Sequence, residues 1–247
     1  MKKSRRVLKR IFIAVVYLAI FGGLGIGGYF LFRPTTVPPP LVTPPIIRPI
    51  EVIWSRIFVV GPGLYSVAAK IKNPNIGFSA GNFGYTFNLY DAEDKLITSP
   101  VGESFIWLGE SKYIVVGGIG LNKIPTKVSL QINNPVWREV KDFGGIDLAL
   151  GNIKYGEGAP ESGKFFAVDF TANNGTPYNL KKTYVSAIVF DKEENPIAAA
   201  TTLLENLKSK EHRRSNISWF SAFPGSPNRV DLTISTNFWG VPGLISQ

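Results

Sequence analysis

Asp91, Glu93 and Asp94 form the densest acidic cluster of the chain, and Asp191, Glu193 and Glu194 return in the same pattern. Carboxylates this close could hold calcium or, as a pair in a cleft, carry acid–base chemistry. A calcium site needs about six to eight oxygens and favours a glycine turn. Asp91-Ala-Glu-Asp-Lys95 supplies neither plainly, and a solvated hairpin turn accounts for it. Its recurrence points the same way, since a catalytic pair need not appear twice in diverged copies. His212 is the single histidine, set in Lys208-Ser-Lys-Glu-His-Arg-Arg214, and the chain has no cysteine. A zinc site therefore has scarcely any ligands to draw on, and thiolate chemistry is excluded. No Gly-x-Ser-x-Gly sequence precedes a helix, and Gly117-Gly-Ile-Gly120 lies in a strand-like run without the Lys-Ser/Thr of a phosphate loop. Trp107, Trp137, Trp219 and Trp239 could line a sugar- or peptide-binding surface, or plug the ends of a sandwich. Asn174-Gly-Thr176 and Asn216-Ile-Ser218 match the glycosylation pattern, which matters only in a eukaryotic secretory host. No catalytic, cofactor-binding or metal-ligating residue is assigned, and no cofactor is expected.

What must position any of these residues begins with a membrane segment. Ile11 to Phe32 is a run of 22 uncharged, mostly apolar residues, preceded by Lys2, Lys3, Arg5, Arg6, Lys9 and Arg10. At about 1.5 Å rise per residue it can cross a hydrocarbon core of roughly 30 Å. A signal peptide would carry about 7–15 apolar residues and a small-x-small cleavage site, so an uncleaved anchor is the better reading. The basic flank places residues 1–10 in the cytoplasm and the remainder outside, at a cytoplasmic membrane crossed once. Gly23 and Gly27 form a Gly-x-x-x-Gly pair, a candidate face for self-association in lipid. Residues 33–50 hold seven prolines and read as a polyproline stalk. The net charge of +9 belongs to this region: residues 1–50 carry eight Lys or Arg and no acid, leaving 19 basic against 18 acidic residues beyond. A nucleic-acid partner would need the charge on the folded part, so none is expected.

From Glu51 the chain alternates in short strand-like runs, among them Val67-Ala-Ala-Lys-Ile-Lys72, Phe83 to Tyr90 and Val128 to Ile132. The order then repeats. Phe166 to Phe170 answers the first strand, Asn173-Asn-Gly answers Asn73-Pro-Asn, and Ala187-Ile-Val-Phe-Asp191 answers Phe87-Asn-Leu-Tyr-Asp91. Val230 to Ile234 answers Val128 to Ile132, and Trp239 falls near the place of Trp137. Two copies of about one hundred residues, each with six or seven short strands, have the rhythm of immunoglobulin-like sandwiches. The expected fold is mainly β, a membrane helix followed by tandem antiparallel sandwiches over 51–143 and 144–247.

Phe87-Asn-Leu-Tyr-Asp91, after an Asn-Pro turn and before Gly109-Glu-Ser-Lys112, resembles the FxLYD-type domain. That family consists of immunoglobulin- or fibronectin-like sandwiches on exported or membrane-anchored prokaryotic proteins. The resemblance covers the first copy; the second departs from it, with Ala187 for the Phe and Phe190 for the Tyr. It implies no catalytic residue and no general ligand. The expected function is non-enzymatic: presentation of two domains for protein contact or envelope assembly, with a protein partner. An enzyme or accessory subunit acting on cell-wall or surface polymer, and a purely structural spacer, stay open beside it.

Overall fold

The computed structural model describes residues 2–33, 45–141 and 145–240. Helix α1, Lys2–Phe32, takes in both the apolar run and the basic flank. Lys and Arg are good helix formers, so the basic flank before Ile11 continues the helix. Val7–Phe32 is long and apolar enough to cross a membrane, and none of it is buried against protein. No side chain or backbone lies within contact distance of a methyl placed on Gly23 or Gly27, so both present bare backbone.

Most of the stalk, and the junction expected between the two copies, lie outside the described residues. The end of the stalk already belongs to the β part. Arg48 N donates to Asn75 Oδ1 at 2.9 Å, Asn75 Nδ2 donates back to Arg48 O at 2.8 Å, and Ile50 enters a core.

The first copy forms two sheets. In one, β1 (Glu51–Gly61), β2 (Leu64–Lys72) and β6 (Ser111–Gly120) pair in that order, all antiparallel. The other is centred on β3 (Phe78–Tyr90), flanked on one side by β4 (Leu96–Thr98) and β5 (Val101–Ile106), on the other by β7 (Lys127–Asn133) and β8 (Trp137–Glu139). The second copy repeats this plan with β9 (Leu148–Glu157), β10 (Phe166–Asn174) and β13 (His212–Trp219) in one sheet. Its other sheet holds β12 (Pro196–Leu207), β11 (Leu180–Phe190) and β14 (Arg229–Thr236). Phe87 pairs with Leu130 as Ala187 pairs with Leu232, which fixes the correspondence. The fold is mainly β, as the strand pattern predicts.

Alternation decides the cores. Phe83, Phe87 and Leu89 face inward from β3 with Val67, Ala69 and Ile71 from β2 opposite, while Asn88 and Tyr90 look the other way. Val185, Ala187 and Val189 do the same in the second copy, facing Val168 and Phe170. The repeat also copies its turns. Asp91 Oδ1 accepts from the amides of Glu93 and Lys95, and Asp191 Oδ1 from those of Glu193 and Asn195. Asp94 and Glu194 both carry positive φ in these turns.

The buried asparagine that closes the β2–β3 connection is Asn73, with Nδ2 donating to Phe78 O and Trp107 O. Its counterpart is Asn174, one residue later than the sequence pairing suggests, with Nδ2 reaching Tyr178 O and Lys208 O. Both are fully enclosed, so the Asn174 sequon has no free amide to carry a glycan. Asn174→Ala is expected to strand these carbonyls and cost about 2–3 kcal/mol, read by chemical denaturation. A loss below about 0.5 kcal/mol would show the pocket to be hydrated instead.

Candidate functional site

The two sandwiches are not beads on a string: Ile46–Gln247 is one compact unit, and its most distinctive chemistry lies at the junction within it. Strand β11 turns Ile188 and Phe190 away from its own core, and β12 turns out Ala199. These meet Phe58, Ala68 and Tyr113 of the first sandwich in a small apolar cluster. Further along the same face the side chains become polar, and the packing opens. Phe105 and Trp107, at the end of β5 and in the turn after it, pass beyond their own sandwich and enter the core of the second. Trp107 Nε1 donates to Thr236 O at 3.2 Å, and its ring stacks on Trp239 at 5.8 Å. Asn237 Nδ2 donates to Gly81 O at 2.8 Å, and a Cβ on Gly81 would stand 2.6 Å from the Trp239 ring. Trp239 thus sits in a short 3-10 turn against the first sandwich, whereas Trp137 is a β8 residue paired with Ala80. The two are equivalent in sequence spacing only. Trp107 and Trp219 are buried.

Where the packing opens, a cavity of about 130 Å³ is left between β3, β5 and β6 on one side and β11, β12 and β14 on the other. Lys112, in phase with the inward-facing Ile114 on β6, lines it and is 5% exposed. Its Nζ donates to Phe105 O at 2.9 Å and stands 3.6 Å from the centre of the Phe105 ring. Burial pulls the ammonium down to about 8, with the Glu110 carboxylate acting against that. None of the ion pairs among the described residues includes Lys112 or Glu103, the carboxylate on the cavity wall. Tyr85, Tyr184, Ser104, Ser186, Thr201 and Ser235 also line it, beside the β6 residues next to Lys112.

Next to it, Tyr113 Oη donates to Asp231 Oδ2 at 2.5 Å across the junction. Burial first, then this bond, pushes the phenol well above its ordinary value; burial and the neighbouring Tyr184 raise Tyr85. Tyr113→Phe is expected to weaken the unit by about 1–3 kcal/mol, because the half-buried Asp231 loses a partner. Equilibrium denaturation reads it, and an unchanged midpoint would mean that water replaces the phenol.

The residues singled out in the sequence for chemistry lie elsewhere. Asp91 is lowered from its ordinary value, chiefly by the Lys95 amide, and serves its turn. Replacing Asp91, Glu93 and Asp94 together by Asn or Gln keeps the acceptor at position 91 and tolerates the positive φ at position 94. Such a variant is expected to melt close to the wild type and to complement a deletion strain. His212 begins β13, exposed, with Nδ1 2.7 Å from Asn173 Oδ1. Gly117–Gly120 forms the outer end of β6. Among the described residues no group of three or more His, Asp or Glu is placed to hold a metal ion. Gly109-Glu-Ser-Lys112 reads as a turn in the sequence, which hides the place of Lys112 on a strand. The available signal was phase: a lysine two residues before Ile114 and four before Val116 falls on the apolar face of its strand.

No protein-family model matches this chain, and no curated protein matches it in sequence.

Proposed function

We propose that the chain is a single-pass membrane protein that holds its two-sandwich unit outside the cytoplasmic membrane as a non-enzymatic platform for a protein partner in the cell envelope. The observation that carries this reading is the pairing of one solvent-bare apolar helix, Val7–Phe32, with a β unit whose two halves are interlocked. A helix with no protein packed on it has its apolar surface covered in lipid. Interlocked sandwiches offer one continuous, pre-ordered surface, which lowers the cost of ordering on binding. The likeness of Phe87 to Asp91 to FxLYD-type domains belongs to the same reading, as does the N-inside orientation argued from the six basic residues before Ile11. Helix contact through Gly23 and Gly27 would allow two platforms to stand together.

The test is site-specific photocrosslinking in native membranes from exposed positions of the β unit, such as Val59, Ile153 and Phe220. The expected result is an adduct of one reproducible mass from neighbouring positions and none from the rest. Absence of any adduct, together with turnover of a cell-wall polymer by the purified protein, would replace this reading with an enzymatic one.

A further inference from the structure

We infer that the cavity at the sandwich junction is a binding site for a monoanionic carboxylate, with Lys112 as its charge partner. The inference stands apart from the platform reading and rests on comparing the two copies of the repeat. Arg213 occupies in the second copy the place of Lys112 in the first. Arg213 Nη2 donates to Asn206 O as Lys112 Nζ donates to Phe105 O, so both cations cap the end of the preceding strand. The carboxylate two residues earlier is shared too, since Glu211 and Glu110 accept from the amides of Lys208 and Trp107. There the likeness stops. Arg213 also pairs with Glu211 at 2.7 Å and keeps part of its surface in water. Lys112 has no carboxylate within ion-pair distance among the described residues, is almost fully buried, and lines a cavity whose other wall is Tyr184, Ser186, Thr201 and Ser235 of the second sandwich. Capping a carbonyl explains why a cation is there, and leaves a buried charge without an ion pair beside an open volume.

A buried ammonium is costly unless a counter-charge reaches it. The volume in front of it is about 130 Å³, walled by the hydroxyls of Ser104, Ser186, Thr201 and Ser235. One positive charge matches one negative charge. A dianion would be left half compensated and would face Glu103 on the same wall, which favours a carboxylate over a phosphate. The body of such a ligand has a place to lie. A hollow of about 660 Å³ shares the Glu103, Phe105 and Tyr184 walls and is lined further by Asn82, Asn179 and Asn237. Those amides suit a polar body, with Lys181 and Lys182 at its edge drawing anions inward.

The experiment titrates acetate, inorganic phosphate and chloride at constant ionic strength against the full chain in detergent. Two readouts are followed: the melting temperature, and the rate at which an amine-acylating reagent modifies Lys112, measured by peptide mass spectrometry. Acetate is expected to raise the melting temperature saturably and to slow Lys112 acylation, with phosphate and chloride weaker by about tenfold or more. Lys112→Met should weaken acetate at least tenfold, and Glu103→Gln should tighten it by removing a repelling charge. Acylation of wild-type Lys112 that saturating acetate leaves unchanged would overturn the site without recourse to any variant. So would a folded Lys112→Met protein that binds acetate within twofold of wild type. A preference for phosphate would overturn the assignment of a monoanion.

Discussion

Replacement of Phe87 by Ala is expected to lower the unfolding free energy of the β unit by about 3–5 kcal/mol, at the top of the range for a single core change. Phe87 is completely enclosed on β3, a strand paired on both sides, and its ring meets Tyr85 edge-on at 5.8 Å. A central strand cannot shift to fill the space, so the lost contacts and the cavity both count. For a unit of this size, each kcal/mol moves the melting temperature by roughly 2–4 °C. The matching control is Tyr90→Ser on the opposite face, where the side chain is only half-buried and a milder loss is expected. Differential scanning calorimetry of both variants decides the point. Equal shifts would mean that the two faces of β3 are not distinguished by burial.

The second large effect is a dependence on pH in an unusual direction. Lys112 titrates at about 8 in the folded protein against 10.5 for a free lysine. Below pH 8 it is charged in both states, and the full cost of burying the charge is present. Between the two values the unfolded chain binds more protons than the folded one, so stability rises with pH. The span corresponds to a gain on the order of 3 kcal/mol, most of it gathered between pH 8 and 10. Tyr113 and Tyr85 act oppositely above pH 10, because their phenols ionise in the unfolded chain before they do in the folded one. The curve should therefore rise from pH 8 and turn over beyond 10. Lys112→Met should flatten the rising limb and leave the descending one in place. Urea denaturation across pH 7 to 11 measures both limbs; a wild-type curve that falls from pH 8 would refute the burial of the charged lysine.

The elements were legible because they rest on local rules. Phe83, Phe87 and Leu89 alternate cleanly, Asp91 and Asp191 open the same turn, and the 22 apolar residues of the helix admit few other readings. The repeat could be read for the same reason, apart from the one-residue offset at Asn174. The junction could not be read. Whether Tyr113 meets Asp231, or Phe105 enters a foreign core, depends on how two sandwiches pack, and no periodicity in either copy encodes that. The Trp residues were ambiguous for a related cause: burial of Trp107 is supplied by Phe238 and Trp239 from the far end of the chain. Ile188 and Phe190 give the plainest lesson. On an isolated sandwich they would be apolar residues on an outward face, and only the neighbouring sandwich explains them.

The proposed placement of the β unit on the outer side of the membrane can be tested most directly by thiol labelling, since the chain has no cysteine of its own. Glu93→Cys puts one thiol in an exposed turn of the first sandwich, and Ser4→Cys puts one in the basic segment before the apolar run. A membrane-impermeant maleimide is added to intact spheroplasts and, in parallel, to permeabilised ones. The predicted result is immediate labelling of Glu93→Cys in intact spheroplasts and labelling of Ser4→Cys only after permeabilisation. The reverse pattern would place the sandwiches in the cytoplasm and contradict the anchored platform.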